Sequence, residues 1–135
     1  MDKAKAIETI DNVVKSAADK FPNFAGVVIF GSFTSGEPNP RDIDLMPVYY
    51  TAKTDDSQTE TRKYLVGAFP KLPEDECIAN KYGLLQDSIY HVADSAFLED
   101  LDLKYLLAAR RIKSGSFHGN SDAKRKIEDI LSKEE

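Results

Sequence analysis

Asp42 and Asp44 stand on either side of Ile43 at the head of the apolar run "DIDLMPVYY". In a β-strand, alternate residues share a face, so both carboxylates would lie on one side, roughly 6–7 Å apart at the backbone. Ile43 and Leu45 would then point the other way, into a core. Neighbouring carboxylates repel and resist burial unless a cation sits between them. A divalent metal answers that need, because Mg²⁺ takes one or two carboxylates together with phosphate oxygens. Two such ions about 3.5–4 Å apart would clamp an in-line phosphoryl displacement. An isolated D-x-D is more often a solvated pair on an edge strand, so the pair needs a second feature beside it.

Gly31-Ser32 is that feature. A strand closing on glycine lets backbone N–H groups approach a phosphate, and the serine hydroxyl adds one donor. A short helix beginning at Ser32 would favour an anion further. A lone Gly-Ser is usually just a turn. Here nine residues separate Ser32 from Asp42, which places a phosphate-gripping bend and a metal-gripping pair on consecutive strands. Metal-assisted phosphoryl transfer requires both positioning and charge neutralisation.

The run Phe30-Gly31-Ser32, nine residues, Asp42-Ile43-Asp44-Leu45 resembles the signature of the nucleotidyltransferase superfamily, best known from the fold of DNA polymerase β. Its size and leading helix are similar to those of the minimal members. The resemblance implies a small mixed sheet with helices on one side. It implies a nucleoside triphosphate held at Gly31 and Ser32, and Mg²⁺ or Mn²⁺ held by Asp42 and Asp44. A small-molecule or protein acceptor would take the nucleoside monophosphate and pyrophosphate would leave. A second protein or a homodimer would complete so small a chain.

The family usually adds a third carboxylate inside a following strand. In "DSIYHVAD" the aspartates stand only at the ends. Asp87 is the expected third catalytic carboxylate, and His91, on the same alternate face, is the other residue that would fill the place. Many relatives carry an arginine after Gly-Ser. This chain has Phe33 and Thr34 there, then Glu37, which would repel phosphates. Arg41 is therefore expected to supply the nucleotide-binding charge, unless it only pairs with the neighbouring carboxylates. These departures leave open an alternative: a catalytically degenerate relative that binds a nucleotide or a protein without turnover. A purely structural domain with an accidental D-x-D is the blandest reading.

The elements that must position these residues follow from periodicity. Apolar residues at helical spacing predict a helix over 3–20, and Pro22 follows it. The β-branched run 24–30 predicts a buried strand, and 43–50 a second. Pro47 lacks a ladder donor and predicts a bulge or an edge position for that second strand. A helix is expected over 57–69, with Ser57 as N-cap and Glu60 as its capping-box partner. One or two strands fit between 77 and 93, the clearest being Ser88–Val92. Residues 95–113 predict a largely buried helix or a broken pair, ended by Gly115. Residues 116–120 read as a loop, with His118 on it, and 121–133 as a final helix. The order predicts a single domain over 1–135 of α/β (α+β) class, a small mixed sheet with helices packed on it.

The chain of 135 residues carries a net charge of −5, which argues against a general nucleic-acid binder. The basic runs 109–113 and 124–126 read first as solvated helix faces, with a local phosphate-binding role as the alternative. Cys77 is the one cysteine, so no internal disulfide forms, and a reducing, cytoplasmic setting fits. The opening residues contain no apolar signal-peptide core, and no apolar run approaches the ~20 residues of a spanning helix.

Overall fold

A computed structural model describes residues 2–36, 38, 40–52, 57–79, 83, 85–113 and 116–133. Glu37, Gly115 and the segment preceding Ser57 lie outside the described residues. Helix α1 (Lys3–Lys20) starts at Asp2, whose carboxylate accepts the Lys5 N–H at 3.1 Å. Ala6, Ile10, Val14 and Ala17 recur every three or four residues along it and are buried. Strands β1 (Phe24–Phe30) and β2 (Ile43–Tyr49) follow, joined by a 3-10 turn at Gly31–Phe33. Then come helix α2 (Ser57–Ala68) and a two-stranded hairpin of β3 (Ile78–Ala79) and β4 (Leu85–Gln86). Short strands β5 (Tyr90–Val92) and β6 (Ala96–Phe97) lead to helix α3 (Leu103–Ala109). Strand β7 (Phe117–Gly119) and helix α4 (Ser121–Lys133) complete the described chain.

The main sheet has five strands in the order β5-β2-β1-β7, with β6 pairing β2 further along. β1 is antiparallel to both β2 and β7, while β5 and β6 run parallel to β2. The fold is therefore a mixed α+β domain, as the pattern of elements predicts.

Alternation along β2 builds two cores. Ile43, Leu45 and Tyr49 are buried with residues of α1 and α2. Met46 and Val48 are buried on the opposite face with residues of α3 and α4. Helices thus cover both faces, and the expectation of helices on one side is corrected. The physical reason lies in β1, where nearly every residue is apolar and buried, as in a strand shielded on both sides.

Pro47 does not mark an edge, since β2 is central. Leu45 and Tyr49, two residues either side of Pro47, turn their carbonyls to the β5/β6 side, accepting from Ala93 and Leu98. Pro47 presents its imide nitrogen to the same side, where β5 has ended and β6 has not begun. Its missing N–H costs no ladder bond.

Two further expectations are revised. Residues 116–120 contain β7 rather than only a loop, and His118 sits within that strand, its Nδ1 2.9 Å from Asp11 Oδ1 on α1. The helix expected over 95–113 shortens to α3, because β6 claims its start. β7 passes so close to β1 that a Cβ at Gly119 would lie 2.3 Å from the Ala25 carbonyl oxygen. Among the described residues, no helix is long and apolar enough to cross a membrane.

Candidate functional site

The ends of three strands form the site. Asp44 is the register partner of Phe30 in β1 and of His91 in β5. It lies on the face of Met46 and Val48 but short of the cover that α3 and α4 provide, and remains partly exposed. Asp42 immediately precedes β2. His91 Nδ1 is 3.5 Å from Asp42 Oδ2 and 3.7 Å from Asp44 Oδ1. One ligand atom from each of the three residues falls within 4.8 Å of the others. Among the described residues this is the one cluster of three such metal-ligating groups.

The glycine bend meets that cluster. Gly31 adopts the left-handed φ of 81°, and a Cβ there would lie 2.5 Å from Asp44 Oδ2. Glycine serves two needs at once, a backbone angle that L-residues avoid and room for the carboxylate. The bend continues as a single 3-10 turn, closed by Thr34 N–H donating to the Gly31 carbonyl at 3.2 Å. So short a turn carries little dipole, and the expectation of a helix-borne anion site at Ser32 shrinks to local N–H groups and one hydroxyl. The half-buried Ser32 hydroxyl has no hydrogen-bond partner among the described residues.

Burial pushes the Asp44 carboxyl above its ordinary value, and the negative charge of Asp42 adds to the rise. His91 and Arg110 pull the other way. Arg110 is the cation that composition alone did not assign to the site. Its guanidinium carbon lies 4.9 Å from the centre of the Phe30 ring, beside the residue that enters the bend. A Schellman turn ends α3 there: Ile112 N–H bonds to the Leu107 carbonyl and Arg111 N–H to the Ala108 carbonyl, both at 3.0 Å. Arg111 takes the left-handed φ of 54° that such a turn needs, and Ile112 is buried among residues of α3 and α4. The only sequence signal for Arg110 is a basic run after an apolar helix, which ordinarily means a solvated face.

Other expected residues fall nearby or apart. Arg41 is exposed and lines a hollow of ≈ 180 Å³ together with Asp42 and His91. It makes no ion pair with either aspartate. Asp87 is not part of the trio. Strand β5 begins only at Tyr90, and the Asp87 carboxylate is exposed, 3.8 Å from Lys71 Nζ. His91 occupies the position across from Asp44, where the resemblance implies a third carboxylate.

β5 is held from α2. Arg62 donates from one guanidinium nitrogen to the Ala93 carbonyl at 2.7 Å and from another to the Val92 carbonyl at 2.5 Å. The Tyr90 ring stacks on Phe69, with centroids 4.8 Å apart. These contacts fix the residues on both sides of His91. Comparison with known proteins finds no family model that matches the chain, and no significant match among curated proteins or solved structures.

Proposed function

We propose that the protein is a metal-dependent nucleotidyltransferase of minimal type, moving a nucleoside monophosphate from an NTP to a small-molecule or protein acceptor. The observation that carries this reading is the contact between the Gly31 bend and the Asp44 carboxylate, with His91 across from it. Phosphates gathered at the bend would lie beside the group that gathers a cation.

The two carboxylates fit a hard divalent ion, and the imidazole favours Mn²⁺, since Mg²⁺ keeps to oxygen ligands. Ligands about 2.0–2.2 Å from a metal stand roughly 3–3.5 Å from one another, and the His91–Asp42 separation of 3.5 Å is already of that size. A bound Mg²⁺ or Mn²⁺ would neutralise charge on the transferring phosphoryl group. The chain's own residues do the rest. Asp42 and Asp44 would hold the ion, and His91 would complete their set. Ser32 offers its hydroxyl and Arg110 its guanidinium to the phosphates. The acceptor oxygen bonds to the α-phosphorus, pyrophosphate leaves with the electron pair of the broken bond, and the acceptor proton passes to solvent.

His91 also favours a second reading. An imidazole in place of a third carboxylate is a weaker activator of an acceptor hydroxyl when it is held as a ligand, and a catalytically degenerate nucleotide-binding module would keep the same architecture. The test is pyrophosphate release from each common NTP with Mn²⁺ and a broad acceptor panel, alongside calorimetry with Mn²⁺ and ATP. Turnover that disappears in Asp42→Asn and in Asp44→Asn is the expected result. Binding without turnover selects the module, and the absence of both binding and turnover sinks the two readings together.

A further inference from the structure

A larger cleft of ≈ 640 Å³ adjoins the small hollow at the trio. The two share Arg41, Leu72 and Ile89 as wall residues, so one surface leads from Asp42 and His91 into the cleft. The volume is in the range of small-molecule sites. Its chemistry divides clearly. The floor is apolar and aromatic, formed by Leu72, Ile89 and Tyr90, and Phe69 stacking holds the Tyr90 ring in place. The rim carries Lys5, Arg41 and Lys71.

The rim is net cationic. Lys5 and Arg41 make no ion pair among the described residues. Lys71 is only loosely tied, 3.8 Å from the exposed Asp87 carboxylate. Asp2, the acidic residue in the cleft wall, caps α1 and keeps its negative charge, so the lining holds three cations against one carboxylate. Three cations and one carboxylate above an apolar floor, in a chain whose net charge is −5, mark a local preference for anions.

We propose that this cleft binds a small anionic molecule with an apolar body, a hydroxyl-bearing phosphate monoester or carboxylate, and that this molecule is the acceptor. Its hydroxyl oxygen bonds to the α-phosphorus as pyrophosphate leaves, and the hydroxyl proton passes to solvent. The anionic group lies between Lys5, Arg41 and Lys71, and the body rests on Tyr90 and Leu72. The acceptor role rests on the nucleotidyltransferase reading, whereas the binding does not. The proposal gives Arg41 a place at the seam between the two sites.

The experiment is an amide-resonance titration of the full chain with phenyl phosphate, benzoate and benzyl alcohol, with and without Mn²⁺. Phenyl phosphate or benzoate should saturably shift the amides of Ala6, Leu72 and Tyr90, and the tighter of the two identifies the anion. Benzyl alcohol should bind about fivefold more weakly or worse, and Lys5→Gln and Arg41→Gln should each weaken the anion by about fivefold. Equal binding of benzyl alcohol, shifts confined to Gly31 and Ser32, no binding of either anion, or unchanged affinity in both variants would overturn the proposal. Anion binding in the cleft with no Mn²⁺ binding at the trio removes the enzymatic reading and leaves the cleft. Mn²⁺ binding without anion binding does the reverse.

Discussion

His91 and Asp44 face each other across the parallel pairing of β5 and β2, with the imidazole Nδ1 3.7 Å from a carboxylate oxygen. The register brings residues far apart in sequence to one end of the sheet, and the candidate ligand set depends on that juxtaposition. Because β5 is only three residues long, the pairing must be secured from outside the strand.

Arg62 provides that security, and Arg62→Ala should weaken the site without touching it. Two charge-assisted hydrogen bonds to the end of β5 would be lost, at a cost of about 2–3 kcal/mol. Mn²⁺ affinity by calorimetry should fall together with the urea midpoint. A stable Arg62→Ala protein with unaltered Mn²⁺ binding would show that β5 holds its register alone.

Asp44→Asn should raise the melting temperature of the metal-free protein near neutral pH. Burial and Asp42 raise the folded-state value of Asp44 above its ordinary 3.8. A raised carboxyl contributes stability that is fully present below the unfolded value and lost as pH rises through the folded one. At about pH 7 the native site therefore carries a charge penalty that the amide removes. Melting scans should show the gap between variant and wild type closing toward about pH 4, and a variant less stable than wild type at neutral pH contradicts the assignment.

Gly31→Ala tests the contact between bend and carboxylate. The added methyl would lie 2.5 Å from Asp44 Oδ2, and the left-handed angle would be strained for alanine. Loss of about 1–2 kcal/mol is expected, along with weaker Mn²⁺ binding as the carboxylate is displaced. Adding Asp44→Ala to Gly31→Ala should recover part of the stability, since the clash then has no partner. Additive effects in this pair would mean that the two residues do not press on each other.

Arg111→Gly should stabilise the protein slightly. Relief of the left-handed strain at φ 54° gains about 1–2 kcal/mol, and the freer unfolded chain returns about 0.4–1 of it. A net gain of roughly 0.5 kcal/mol should appear as a higher urea midpoint with an unchanged slope. A clear loss would mean that the Arg111 side chain makes a contribution of its own.

Much of the framework was legible in the sequence because it is written in local periodicity. The apolar spacing of α1, the seven-residue β1 and the final helix 121–133 fall where the pattern puts them. The shared face of Asp42 and Asp44 follows from strand alternation, and Ile43 and Leu45 are buried on the other side as expected. What local pattern cannot supply is pairing at a distance. β7 has three residues, one of them glycine, and is a strand because β1 offers it an edge. His91 takes the place opposite Asp44 by register alone, while Asp87 falls before β5 begins. Arg110 reaches the site only because a Schellman turn, closed by a buried Ile112 distant in sequence from the aspartates, stops α3 beside Phe30.

β1 is flanked by β2, which follows it closely, and by β7, which arrives only near the far end of the described chain. A nascent polypeptide emerging at about 5–20 residues per second would hold one side of β1 bare for on the order of ten seconds. During that interval an apolar ribbon with open hydrogen-bonding groups is free to recruit a neighbour. Fragments cut short before Phe117 should therefore precipitate in the cell or require chaperones, even though every residue proposed for chemistry at the aspartates is already present in them.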